Sequence, residues 1–173
     1  ATWTLLGQRT AFISSLLFLA DAGDGLLYAG GNNGALYRSA DGGASFVDVN
    51  EGLPAVNVMA LARDGTSGSL YALMQGRGLF VSTDDGASWR RILDPAFLGA
   101  EVTSFAVDAS RAVLYAATAG SGVSVSRNGG GTWEFLSTGL DSFDVRHLAL
   151  DPVSGSSLHA ATAAGVYTID ISV

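Results

Sequence analysis

Five carboxylates, Glu51, Asp94, Glu101, Asp141 and Asp144, fall in loop-like stretches between apolar runs. Two carboxyl groups roughly 5 to 10 Å apart are what glycoside hydrolysis requires, one as acid and one as base or nucleophile. Nothing in the spacing singles out one pair of the five. Arg9 and Arg77 bring positive charge to the same class of loops, and Asn32, Asn33 and Gln75 bring neutral donors and acceptors. Asp84 and Asp85 are adjacent and raise the question of a metal site. Neighbouring residues of a strand point to opposite faces, so the two reach one ion only in a special loop. His147 and His159 stand in strand-like runs, and no Ser-His-Asp order is supported by spacing. His159 takes a position held elsewhere by Tyr and is expected to pack; His147 is expected on an innermost strand, packed or lining a central channel. The glycine stretches "GGNNG" and "GRG" have no Lys and no following helix, so they do not make a phosphate loop. The chain has no Cys, which excludes thiolate zinc sites, a Cys nucleophile and disulfides. No catalytic constellation emerges, and neither a metal nor a cofactor is expected.

The elements that carry these residues are strands. Hydrophobic residues make up 48% of the 173 and charged ones 14%, which describes a folded chain, here a single domain over 1–173. Glycine is abundant, with 23, while proline is scarce, with 3, as many tight turns between short strands would require. The formal charge is -7 and all nine basic residues are Arg, so binding to nucleic acid or to an anionic membrane is not expected. The longest apolar run, "FISSLLFLA", is far shorter than the roughly 20 residues of a membrane helix. No basic segment precedes it, so it is not read as a signal peptide.

Three octets share one pattern, Ser-x-Asp/Asn-x-Gly-x-Ser/Thr-aromatic: "SADGGASF" from Ser39, "STDDGASW" from Ser82 and "SRNGGGTW" from Ser126. Their starts are 43 and 44 residues apart, and Tyr28, Tyr71, Tyr115 and His159 keep the same step. The fold predicted is all-β, a β-propeller of four-stranded antiparallel blades, because four short strands per repeat at this period is the measure of a blade. The repeats cover about 11–49, 55–93, 100–137, and 144–173 together with 1–7. The last repeat stops at "IDISV" without a fourth strand, and the chain opens on "ATWTLLG", a fourth strand without a repeat. Joined end to end, the aromatic positions Trp3, Phe46, Trp89 and Trp133 recur every 43 or 44 residues. The N-terminal strand is therefore expected to complete the C-terminal blade, covering two sheet edges.

In these octets the chain resembles the Asp-box, or BNR repeat, proteins, over its whole length, with three intact boxes and a fourth split by the termini. The resemblance implies that each box is a structural turn between the third and fourth strands, away from the binding face. The residue types agree. Asp41, Asp84 and Asn128 can accept backbone N–H groups of their own turn. Gly43, Gly86 and Gly130 can take angles closed to other residues. Ser39, Ser82 and Ser126 open the boxes; Phe46, Trp89 and Trp133 pin them to the sheet with apolar area. Sialidases, well-known enzymes with such boxes, use three arginines on a carboxylate, a tyrosine nucleophile with a glutamate partner, and an aspartic acid. Here the Arg-Ile-Pro signature is missing, and few arginines fall on the predicted face. The resemblance also points to a secreted or periplasmic setting.

In a propeller, loops from fourth to first strands share a face with the second-to-third hairpins. On that face Arg9, Asn33, Gln75, Arg77, Glu101 and Asp144 are the candidate ligand contacts. Four blades close alone at about 90° each, or as an eight-bladed homodimer at about 45°, and the two-fold dimer is the favoured form. The function expected is a non-catalytic binding or scaffold module for a carbohydrate or a protein. The alternative is a glycoside hydrolase, sialidase-like or another Asp-box carbohydrate-active enzyme, or a fragment of one. The absent initial Met and the end-to-end register also fit an excised or engineered repeat fragment without a function of its own.

Overall fold

The computed structural model describes residues 2, 4, 5, 13–19, 26–93, 99–151, 153 and 155–172, with the backbone alone over 14–19. The strands are β1 (Ile13–Leu19), β2 (Leu26–Gly31), β3 (Leu36–Ser39), β4 (Val47–Asp48), β5 (Val58–Arg63), β6 (Leu70–Met74), β7 (Gly78–Ser82) and β8 (Arg90–Leu93). They continue as β9 (Val102–Asp108), β10 (Val113–Thr118), β11 (Gly122–Ser126), β12 (Glu134–Phe135), β13 (Val145–Leu150), β14 (Ser157–Thr162) and β15 (Gly165–Asp170). Among the described residues there is no helix. The strands form four antiparallel sheets in chain order, β1-β2-β3-β4, β5-β6-β7-β8, β9-β10-β11-β12 and β13-β14-β15. Each sheet is one repeat of the sequence, here called blades 1 to 4.

Strand order follows from short connections. A short turn or loop returns the chain beside the strand it has just left, so each sheet is a meander. The second strands "LLYAGG", "LYALM" and "VLYAAT" are buried at every position. A short continuous apolar run is what a strand covered on both faces needs. Where two blades face each other, each covers the other. Leu26, Tyr28 and Leu36 of blade 1 pack with Leu70, Ala72, Phe80 and Trp89 of blade 2. Tyr71, Leu79 and Val81, on the other face of blade 2, pack with Val102, Leu114 and Ala116 of blade 3. Tyr115, Val123 and Val125 of blade 3 then pack with Leu148, Leu158 and Ala160 of blade 4. The core is thus three apolar layers between four sheets, and each repeated Tyr is buried by the blade that follows it.

Blade 4 departs from the sequence expectation. His159, expected to pack as the other residues at its position do, is exposed, as are Ala161 and Val166 on the same face. The physical reason is that among the described residues no sheet covers the outward side of β14 and β15. The expected N-terminal fourth strand falls mostly outside the described residues, including Ala1, Trp3, Leu6 and Gly7. Thr4 and Leu5 are exposed and lie outside the strands.

Candidate functional site

The three octets lie between β3 and β4, β7 and β8, and β11 and β12, and their polar groups are bonded to one another. In the second, the Ser82 hydroxyl donates to Asp84 Oδ1 at 2.7 Å and accepts the N–H of Gly86 at 2.9 Å. Asp84 Oδ1 accepts the N–H of Ser88 at 2.9 Å, and Oδ2 accepts its hydroxyl at 2.6 Å. The first octet repeats the network, with Ser39 donating to Asp41 at 2.7 Å and Ser45 donating to Asp41 through both its N–H and its hydroxyl. In the third, Asn128 Oδ1 accepts from Ser126 and from the N–H of Thr132, while its amide donates to the Thr132 hydroxyl at 2.9 Å. An amide replaces a carboxylate by turning one acceptor into a donor, and the Thr hydroxyl accommodates the exchange.

These bonds favour the ionised acid. The hydroxyl of Ser45 foremost, with its N–H and Ser39, lowers the Asp41 pKa to about 2. Ser88 and Ser82 hold Asp84 at about 2 in the same way. Asp85, the other half of the adjacent pair, stands at a left-handed φ of 57°, and its carbonyl accepts the Tyr28 hydroxyl at 3.2 Å. Gly86, at φ 90°, is buried against Val49, where an added Cβ would stand 3.2 Å from the Val49 Cβ. The tryptophans closing the second and third octets reach the preceding blade. Trp89 Nε1 donates to the Val49 carbonyl at 2.8 Å, and Trp133 Nε1 donates to the Ile92 carbonyl at 2.9 Å.

The opposite ends of the blades carry the exposed polar set. Asn33, at φ 55°, is the exposed tip of the β2–β3 hairpin. Gln75 and Arg77 are exposed in the β6–β7 hairpin, and Gln75 Oε1 accepts the Asn57 amide at 2.8 Å. Glu101 and Asp144 meet at the β10–β11 hairpin. The Ala119 N–H donates to the Glu101 carbonyl at 3.0 Å, and Ala119 bridges to Asp144. The Asp144 carboxylate also takes Arg146 at 3.3 Å. Five of the six residues singled out on this face are therefore exposed or half-buried on hairpins and their flanking loops. The sixth, Arg9, lies outside the described residues, as does Asp94.

The other carboxylates separate from this group. The Glu51 carbonyl accepts the Trp89 N–H at 2.9 Å, which sets that residue against the fourth strand of blade 2. Asp141 accepts the Tyr167 hydroxyl at 2.9 Å, which raises the Tyr167 pKa. His147 is exposed on β13, with Nδ1 3.3 Å from the hydroxyl of buried Ser104 on β9. Ser104 is a residue the sequence reading passed over. Its hydroxyl also accepts the Leu148 N–H at 3.1 Å, joining the innermost strands of blades 3 and 4. A serine where the corresponding strands place Leu17 and Ala60 was the available signal.

No protein-family model matches the chain, and no curated protein matches it in sequence. Its architecture has counterparts. The GH74 enzyme of Niastella koreensis superposes with a TM-score of 0.74 at 19% identity, over 99% of this chain and 32% of that one. YCF48 from Cyanidioschyzon merolae superposes at 0.69 and 19% identity, over 99% of this chain and 57% of the other, and YCF48 has also been solved bound to D1 peptide. The computationally designed Ika4 protein matches at 0.71 and 14% identity over 96% of both chains. The chain is a β-propeller protein. Four blades account for its whole described length, which spans about a third of the GH74 enzyme and little more than half of YCF48.

Proposed function

We propose that the chain is a non-catalytic propeller module of the Asp-box type, which binds a carbohydrate or a protein through its hairpin face and associates with a second copy of itself. The observation that carries this reading is a division of polar groups between the two ends of the blades. In the octets, Asp41, Asp84 and Asn128 spend their oxygens on their own turns. At the hairpin end, Asn33, Gln75, Arg77 and Glu101 project into solvent from a rigid scaffold, the arrangement in which loops usually carry binding. A cation, a carboxylate and two amides suit the hydroxyls of a sugar or the backbone and side chains of a peptide. The likeness to YCF48, which binds D1 peptide, supports the protein arm of the reading.

Screening the chain on a glycan array and on a peptide array tests the proposal. Binding to one class, weakened in Arg77→Ala and in Asp144→Ala, is the expected result; no binding on either array defeats it. The second reading is a carbohydrate-active enzyme, favoured by the likeness to the GH74 enzyme. Turnover of a chromogenic glycoside, lost when Glu51, Glu101, Asp141 or Asp144 is replaced by its amide, would establish that reading instead.

A further inference from the structure

The junction between blades 3 and 4 contains a vacancy that the repeat itself identifies. Between blades 1 and 2, Trp89 fills a slot formed by Val49, Leu53, Leu70 and Phe80. Its backbone N–H donates to the Glu51 carbonyl, and its indole donates to the Val49 carbonyl. Two repeats on, at the junction of blades 3 and 4, the corresponding residues are Leu136, Leu140, Leu158 and Tyr167, with Thr138 in the place of Glu51. Together they line a cavity of about 150 Å³. A cavity of that size takes a benzene ring.

Two glycines measure the vacancy. Gly52 and Gly139 hold equivalent places, at φ 89° and 90°. A Cβ built on Gly52 would strike the carbonyl of Trp89, whereas a Cβ built on Gly139 meets nothing within 4 Å. The second slot has the walls of the first without its tryptophan. Beside it, β15 has no partner on its outer edge among the described residues, where β3, β7 and β11 each pair with a fourth strand.

We infer that this slot and this edge receive the N-terminal strand of a second copy, with Trp3 of the partner subunit in the cavity, and that the exchange is reciprocal. This rests on the self-association proposed above. The segment that fits is set by register, since Trp3 continues the series of Phe46, Trp89 and Trp133. Thr4 and Leu5 are exposed, as are Arg90 and Arg91, which follow Trp89 at the same offset. The choice of a second copy follows from the faces. In blades 1 to 3 a fourth strand runs directly into the first strand of the next blade, which covers the blade just completed. The N-terminal segment likewise leads into β1, so it completes whichever blade β1 packs against. Within one chain the outward face of blade 4, at His159, Ala161 and Val166, is exposed, so blade 1 of the same chain does not cover it. The blade completed by this segment therefore belongs to another copy. The four blades also superpose on 57% of a longer propeller chain, as an arc of a larger ring would. Two such arcs close around a two-fold axis.

A disulfide tests the exchange. Arg38 pairs with Val47, Val81 with Arg90, and Val125 with Glu134, so the same register places Thr4 opposite Thr168. Directly opposed residues have Cα atoms about 4.5 to 5.5 Å apart, within reach of a disulfide. The chain has no other thiol. Oxidised T4C/T168C is expected to run on a non-reducing gel at twice 17.7 kDa and to return to 17.7 kDa on reduction. The register-shifted control T4C/T162C should not cross-link. Light scattering of the wild type should give the dimer mass, and Trp3→Ala should weaken association at least tenfold. A dimer whose disulfide closes within one chain, or whose control cross-links equally, overturns the exchange and leaves self-association standing. A wild-type mass of 17.7 kDa at micromolar concentration overturns both.

Discussion

The indole N–H of Trp89 donates to the carbonyl of Val49 at 2.8 Å as well as to that of Gly86 at 3.1 Å, so the last residue of the second octet is fastened to blade 1 as well as to its own turn. Trp133 repeats the relationship with Ile92 of blade 2 at 2.9 Å. The second and third octets thus have two tasks: their polar residues close a turn, and their tryptophan seals the junction with the blade before it. Trp89→Phe keeps most of the apolar contact and leaves the Val49 and Gly86 carbonyls without the indole donor. A loss of about 1 to 3 kcal/mol is expected. Trp89→Ala, which also opens a cavity, should cost about 3 to 5 kcal/mol. Urea unfolding midpoints of the two variants check the order.

The octets also predict a response to acid. The Asp41 and Asp84 pKa values, lowered from 3.8 to about 2, mean that the folded state favours the ionised carboxylates. Their contribution is fully present above pH about 4 and is lost as pH falls through about 2, because the unfolded chain takes up its protons first. Asp84→Asn, which imitates Asn128 of the third octet, should flatten the fall in stability between pH 4 and 2. Thermal melts across that range would expose an error if the slope were unchanged.

Ser82 and Ser104 are both buried, and each hydroxyl accepts a backbone N–H, of Gly86 and Leu148 respectively. Replacing either by Ala leaves a buried donor without that acceptor, at a cost of about 1 to 3 kcal/mol. Hydrogen exchange distinguishes the two variants. Ser82→Ala should speed exchange at Gly86, whereas Ser104→Ala should do so at Leu148, between blades 3 and 4.

Gly52 and Gly139 make a matched pair for steric cost. An alanine is strained at either, since both have φ near 90°. Only at Gly52 does it also meet the Trp89 backbone. At a concentration where light scattering gives the monomer mass, Gly52→Ala should be more destabilising than Gly139→Ala by about 1 to 3 kcal/mol. Equal losses would contradict the geometry of the empty slot.

Arg77 offers the complementary case. It is exposed on a hairpin, and surface substitutions of this kind usually change stability by less than about 0.5 kcal/mol. Arg77→Ala is expected to melt with the wild type and yet to lose signal on the array that binds the parent chain. A fall in melting temperature of several degrees would mean that the side chain supports the scaffold instead.

Much of the fold was legible in the chain because its turns are local problems. An octet brings its own acceptor, its own hydroxyls and its own glycine, so Ser82, Asp84, Gly86 and Ser88 specify one corner whatever surrounds them. The strand-like runs and the constant step from Tyr28 to Tyr71 to Tyr115 then fix four sheets of similar design. The hairpin end of the blades was legible more coarsely. Loop type predicts which end a residue occupies, and Gln75, Arg77, Glu101 and Asp144 followed it, whereas Glu51 was drawn away by a backbone bond to Trp89, 38 residues further along.

By itself, then, the sequence determined the number of blades, the order of strands and the closure of every octet, since each depends on contacts made within a few residues or on a period. Only the tertiary structure decided which faces are covered. His159 occupies the place of a buried tyrosine and is nevertheless exposed. Gly139 matches Gly52 in conformation and nevertheless faces open space. Burial belongs to pairs of sheets: a strand carries its side chains to an interface, but the neighbouring blade determines whether water is excluded there.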